Sequence, residues 1–206
     1  MTPKNRINSL IFDFDGVIAD TEPLHWRSWA ASLAPLGINL TWDQYCEFGR
    51  GVRDARMLET LRKLVQDPSM LPELDKRNAL RKRIMRELCI SRPPIHEATI
   101  EMLLTLRGYR LGLVTSSEKC DVQPVLRAAG ICQCFDAQVF GGDVARHKPA
   151  PDPYLLVGRR LGIKAGFVFE DSGVGIISAQ QAGFTAVLVT EPEQLSRIVY
   201  REIFYS

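Results

Sequence analysis

Short apolar runs alternate with helical periodicity along most of this chain. The runs Leu10–Phe14, Leu111–Ser116, Ala137–Gly141, Gly166–Glu170 and Thr185–Val189 each end in polar residues or glycine, as strands buried on both faces do. Helical spacing fills the intervals, over Ala98–Leu106, Val122–Ala129, Pro153–Leu161 and Gly175–Ala182. Gly130, Gly162 and Gly183 follow three of these helices, where a helix end favours a left-handed residue. From residue 96 onward the pattern predicts βαβ units, and so an α/β doubly wound parallel sheet with right-handed crossovers.

Residues 20–92 interrupt that alternation. They hold no convincing strand but several amphipathic stretches, over Thr21–Leu36, Thr41–Glu47, Asp54–Val65 and Pro72–Cys89. Pro93-Pro94 marks the return toward the sheet. A helical subdomain over 20–92, inserted after the first strand of a core made of 1–19 and 93–206, is the simplest account. The basic run Arg77, Arg81, Lys82, Arg83 and Arg86 reads as a solvated helix face.

Composition narrows the class. With 26 Lys+Arg against 24 Asp+Glu, the net charge of +2 is too balanced to argue for nucleic acid. The five cysteines are odd in number and lack CxxC spacing, and Cys132-x-Cys134 has no matching pair elsewhere. Idle thiols in a reducing compartment are the expectation. Met1–Arg6 lacks an apolar signal core, and no run is long enough to cross a bilayer. A cytoplasmic protein without membrane attachment or an evident obligate protein partner is expected.

The chemistry gathers where strands end. Asp13 and Asp15 close the first run at i and i+2, so they point to the same side. Like charges that close are costly unless a cation sits between them or one carries a proton. A strand-to-turn junction would also account for this pair taken alone. Ligands of a doubly wound sheet bind beyond the carboxyl ends of its strands. Those ends supply Thr115-Ser116-Ser117 after the second run, Lys148 past the third and Glu170-Asp171 after the fourth. Singly, each has an ordinary reading as an N-cap cluster, a surface lysine or a capping pair. Together they supply a nucleophile, oxygen ligands for a divalent ion and donors for phosphoryl oxygens, the parts phosphoryl transfer requires.

The ordered segments Asp13-Phe14-Asp15-Gly16-Val17-Ile18-Ala19-Asp20-Thr21-Glu22, Val114-Thr115-Ser116, Lys148-Pro149 and Glu170-Asp171-Ser172 resemble the four motifs of the haloacid dehalogenase superfamily. The likeness runs through the chain and is closest to the group of β-phosphoglucomutase and phosphoglycolate phosphatase. It implies a Rossmann-like core with strand order 3-2-1-4-5, a helical cap, Mg²⁺ and an aspartyl-phosphate intermediate. Under the resemblance, Asp13 is the nucleophile, Asp15 the general acid/base, Thr115 a phosphoryl holder and Lys148 the neutralising cation. Asp13, the backbone carbonyl of Asp15, Glu170 and Asp171 form the metal site. Ser116, Ser117, His25, Arg50 and Gly51 are the substrate-binding candidates, with a packing role for His25 equally open.

The presence of Asp15 favours phosphate esters over carbon–halogen bonds. Asp54 stands where the mutase has an arginine, and Glu118-Lys119 where it has Lys-Asn. A Mg²⁺-dependent phosphatase of a small phosphorylated metabolite, such as a sugar phosphate or phosphoglycolate, is the leading expectation. A β-phosphoglucomutase-like mutase and an idle relative that senses a phosphorylated ligand are the alternatives.

Overall fold

A computed structural model describes residues 8–49, 54–64 and 71–205. The chain divides into two compact units, Met1–Asp20 with Pro93–Ser206, and Thr21–Arg92. In the first unit a five-stranded parallel sheet is formed by β1 (Ser9–Asp13), β2 (Arg110–Val114), β3 (Ala137–Val139), β4 (Phe167–Glu170) and β5 (Thr185–Leu188). Its order is β3-β2-β1-β4-β5, so the chain reverses direction of travel at β1. Chain order along the sheet edge therefore brings β1, β2 and β4 side by side.

Register then does the positioning. Asp13 pairs with Val114, and Phe12 with Phe169. The strands end level, which puts Asp13, Thr115 and Glu170 at one edge. Alternation sends Ile11 and Asp13 of β1, and Val168 and Glu170 of β4, to the same face. On that face Ile11, Val114, Val139 and Val168 pack with Tyr154, Val157 and Leu161 of α7 (Asp152–Leu161) and Ala179 of α8 (Gly173–Gln181). Phe12 and Phe169 point the other way and stack with ring centroids 5.1 Å apart. The remaining helices of this unit are α5 (Glu97–Thr105), α6 (Lys119–Ala128) and α9 (Leu195–Tyr205). No helix among the described residues is long and apolar enough to cross a membrane.

The second unit contains α1 (Glu22–Leu33), α2 (Trp42–Phe48), α3 (Asp54–Leu64) and α4 (Leu71–Ser91). Trp29, Leu33, Leu40, Tyr45, Met57, Leu61 and Leu74 form its core. The single helix expected over Thr21–Leu36 ends at Leu33 and continues as a 3₁₀ turn over Ala34–Leu36. Pro35 explains the change, because it has no N–H for an α-helical bond and its ring crowds the preceding turn. Thr41 caps α2 in a reciprocal capping box with Gln44. Helix α9 was not expected, although Leu195, Ile198, Val199 and Ile203 recur at helical spacing; Leu195 and Val199 are its buried residues.

Phe12 and Phe169 are both fully buried. Replacing Phe12 by Ala should destabilise the protein by about 3–5 kcal/mol, the range for an aromatic deleted from a packed core. A urea titration should show a lowered midpoint at unchanged slope.

Candidate active site

The turn after β1 winds tightly. Phe14 O accepts from the N–H of Ile18 and Ala19 at 3.0 and 2.9 Å, and Gly16 N–H donates to Ala19 O at 2.9 Å. Gly16 has φ +73°, and a Cβ there would lie 2.1 Å from Asp171 Oδ2, so only glycine lets this turn approach the end of β4. Thr115, the residue after β2, is buried. Its hydroxyl oxygen accepts from Ser117 N–H at 3.0 Å. Asp15 Oδ2 accepts from Ser117 Oγ at 2.8 Å and from Thr115 Oγ1 at 3.4 Å. The hydroxyl-rich turn is thus tied to Asp15 in the turn after β1, while Ser116 between them is exposed.

A buried cation holds the rest together. Lys148 Nζ lies 2.9 Å from Asp13 Oδ1 and 2.5 Å from Glu170 Oε1, with only 6% of its side chain exposed. Burial alone would lower the ammonium's pKa, but the charges of Asp13 and Glu170 outweigh it and push the group up to about 12. It stays charged. Glu170 is wholly buried and anchored on both oxygens. Oε1 also accepts from Tyr154 Oη at 2.6 Å, and Oε2 accepts from Ser172 Oγ at 3.0 Å. Gly175 of α8 lets the helix backbone pass close by, since a Cβ there would fall 2.0 Å from the Glu170 carboxyl carbon.

Negative charge is in excess around this lysine. Asp13 is held well above the usual carboxylate range, first by burial and then, against the pull of Lys148, by the charges of Glu170 and Asp15. Burial and the Glu170 charge likewise push Asp171 up to about 6. Oxygens of Asp13, Glu170 and Asp171 lie within 4.8 Å of one another. An all-oxygen set carrying surplus charge is what a hard divalent ion prefers, so these residues fit Mg²⁺. Such an ion would also remove the electrostatic cause of both raised values.

The structure brings Asp13, Asp15, Thr115, Ser117, Lys148, Glu170 and Asp171 to one sheet edge. His25 lies in α1 of the second unit, where its Nδ1 is 3.2 Å from Arg81 Nη1. A guanidinium can only donate, so Nδ1 accepts and a neutral His25 carries its proton on Nε2. Arg50 and Gly51 fall outside the described residues. Tyr154 and Ser172, which complete the surroundings of Glu170, were not singled out from the sequence as site residues. Ser172 belongs to the Glu170-Asp171-Ser172 motif but was given no role there.

A carboxyl group whose folded pKa lies above its unfolded value stabilises the fold in its acid form. For Asp171 that contribution is complete below the ordinary carboxylate value and is lost as pH rises through about 6. Metal-free wild-type protein should therefore lose Tm relative to Asp171→Asn between about pH 4 and 6. Thermal melts in a chelator across that range test this; a constant difference would refute it.

Residues 10–189 match the family model described as haloacid dehalogenase-like hydrolase. A phosphorylated carbohydrates phosphatase of Thermotoga maritima is 33% identical over 184 residues, covering 88% of this chain and 84% of that protein. Fructose-1-phosphate phosphatase YqaB of Escherichia coli is 32% identical over 187 residues, covering 88% of this chain and 96% of that one. The structure of a CbbY mutant from Rhodobacter sphaeroides in complex with xylulose-(1,5)bisphosphate superposes with a TM-score of 0.70 at 27% identity, over 88% of this chain and 85% of that one. Sequence, sheet order and the grouped carboxylates agree, and the chain belongs to the haloacid dehalogenase-like hydrolases.

Proposed function

We propose that this phosphoric monoester hydrolase is a Mg²⁺-dependent phosphatase of a small phosphorylated metabolite, a sugar phosphate or a phosphoglycolate-like acid, working through a phosphoryl group carried on Asp13. The observation that carries the reading is the Lys148 ammonium buried between Asp13 and Glu170, beside Asp171. The relatives named as phosphatases of phosphorylated carbohydrates and of fructose 1-phosphate support the substrate class.

In the first step an Asp13 oxygen attacks phosphorus and the ester P–O bond breaks. Asp15, in its acid form, passes its proton to the departing alkoxide oxygen. Water then attacks the phosphoryl group on Asp13. Asp15 takes the water's proton, and inorganic phosphate leaves with Asp13 restored. Lys148 neutralises the Asp13 carboxylate and the phosphoryl oxygens, while Ser116, together with Thr115 and Ser117 once their hydroxyls turn from Asp15, donates to those oxygens. Asp13, Glu170, Asp171 and the backbone carbonyl of Asp15 would hold Mg²⁺, which supplies positive charge against the phosphoryl oxygens when bound. We assign residues 20–92 to the cap, with His25, Arg50 and Gly51 serving substrate recognition.

A panel of phosphorylated metabolites assayed for released phosphate tests the class. Conversion of β-glucose 1-phosphate to its isomer without net phosphate release would favour the mutase instead, and no turnover on any ester would favour the sensing relative. Asp13→Asn should abolish turnover with the fold retained, because the amide keeps the shape and loses the nucleophile. Activity should require Mg²⁺ and vanish with EDTA. Persistence after exhaustive chelation would overturn the metal assignment.

Asp15→Ala separates the two proton steps. Phosphoenzyme formation should suffer most with a sugar phosphate, whose alkoxide needs the proton, and much less with an aryl phosphate, whose leaving group is stable as an anion. Single-turnover rates on the two esters measure this. Equal losses would remove Asp15 from the acid role.

A further inference from the structure

Tyr154 is fully buried on the sheet face shared by Asp13 and Glu170. It touches the charged cluster twice. The hydroxyl donates to Glu170 Oε1 at 2.6 Å, and Lys148 Nζ sits 5.4 Å from the centre of its ring. The same Glu170 oxygen accepts from Lys148 at 2.5 Å. One carboxylate oxygen thus takes a hydrogen bond from each, while Ser172 Oγ holds the other oxygen at 3.0 Å.

We propose that Tyr154 is a positioning residue for phosphoryl transfer, orienting Glu170 by its hydroxyl and Lys148 by its ring so that the ammonium is shared with Asp13. The inference rests on the reading of Asp13 as nucleophile and of Glu170 as part of the metal site. Its physical basis is competition for one ammonium. Lys148 is the only cation recorded as ion-paired with Asp13 or Glu170 among the described residues. Without the phenol, Glu170 Oε1 keeps a single donor and draws Lys148 more strongly, at the expense of the 2.9 Å contact to Asp13. The ring adds a second constraint, since a cation over an aromatic face is held against sideways movement. A phenylalanine would fill the same space in the core. Packing alone therefore does not call for the hydroxyl.

Tyr154→Phe separates positioning from packing, because it retains the ring and removes only the hydrogen bond. Full-length wild type and variant are compared for Mg²⁺ affinity by titration calorimetry, for kcat and KM on p-nitrophenyl phosphate, and for Tm. The variant should lose about 10–100-fold in kcat and bind Mg²⁺ more weakly, with KM little changed, as removal of outer partners of metal-binding carboxylates generally does. A lowered Tm with kcat and Mg²⁺ affinity both at wild-type level would overturn the inference. If the variant folds poorly, wild-type protein labelled at tyrosine Cζ serves instead. A slowly exchanging hydroxyl proton whose signal moves on adding Mg²⁺ supports the coupling, and one that does not move overturns it. A wild type that neither binds Mg²⁺ nor cleaves any phosphate ester would instead overturn the proposed function.

Discussion

One buried ammonium organises this molecule's chemistry. Lys148 reaches the end of the sheet with 6% of its side chain exposed and contacts two carboxylates from different strands. Removing such a charge from water costs several kcal/mol, and only close opposite charges and hydrogen bonds offset that. Glu170 and Asp13 are in turn tolerable at their depth because Lys148 is there. Neither side of this arrangement stands without the other. The strand ends, the loop that carries Lys148 and the helix that carries Tyr154 must therefore all be correctly placed at once.

The sheet supplies that placement through register rather than through local sequence. Order β3-β2-β1-β4-β5 makes β1 the neighbour of both β2 and β4. Pairing of Asp13 with Val114 and of Phe12 with Phe169 then levels the three ends. A slip of one residue in β4 would turn Glu170 to the opposite face and Phe169 toward the charges. The Phe12–Phe169 stack on the far face opposes such a slip by its own packing. Core aromatics and charged site are thus two readings of one register.

This explains what was legible beforehand. Strands β1, β2 and β4 announced themselves because both faces are covered, which forces runs such as Leu10-Ile11-Phe12 to be apolar throughout. Strand β5, read in the same way, is an edge strand with exposed ends. Asp13, Lys148 and Glu170-Asp171 stood out because charge at the end of an apolar run has no packing explanation. Tyr154 gave no comparable signal. It occupies a position on the core face of α7, and its partner Glu170 is 16 residues away. Only the register of β4 beneath α7 joins them. Helix α9 did leave a trace, with Leu195, Ile198, Val199 and Ile203 recurring at helical spacing, and it was passed over. In the second unit Pro35 was a readable helix breaker whose effect the longer apolar spacing concealed.

The charge balance at the sheet edge bears on how such a site can receive a phosphate at all. Asp13, Asp15, Glu170 and Asp171 surround one lysine, so full ionisation would leave three negative charges in excess. A phosphate monoester dianion approaching that edge meets repulsion that the hydroxyls of Thr115 and Ser117 are too weakly polar to offset. The raised values of Asp13 and Asp171 come first from burial and then from this same surplus. Protonating these acids would relieve it, but would also remove the carboxylate proposed as nucleophile. A divalent cation relieves it while leaving Asp13 ionised. Under the proposed mechanism, metal dependence therefore follows from carrying the nucleophile as a carboxylate, rather than being an accessory to it.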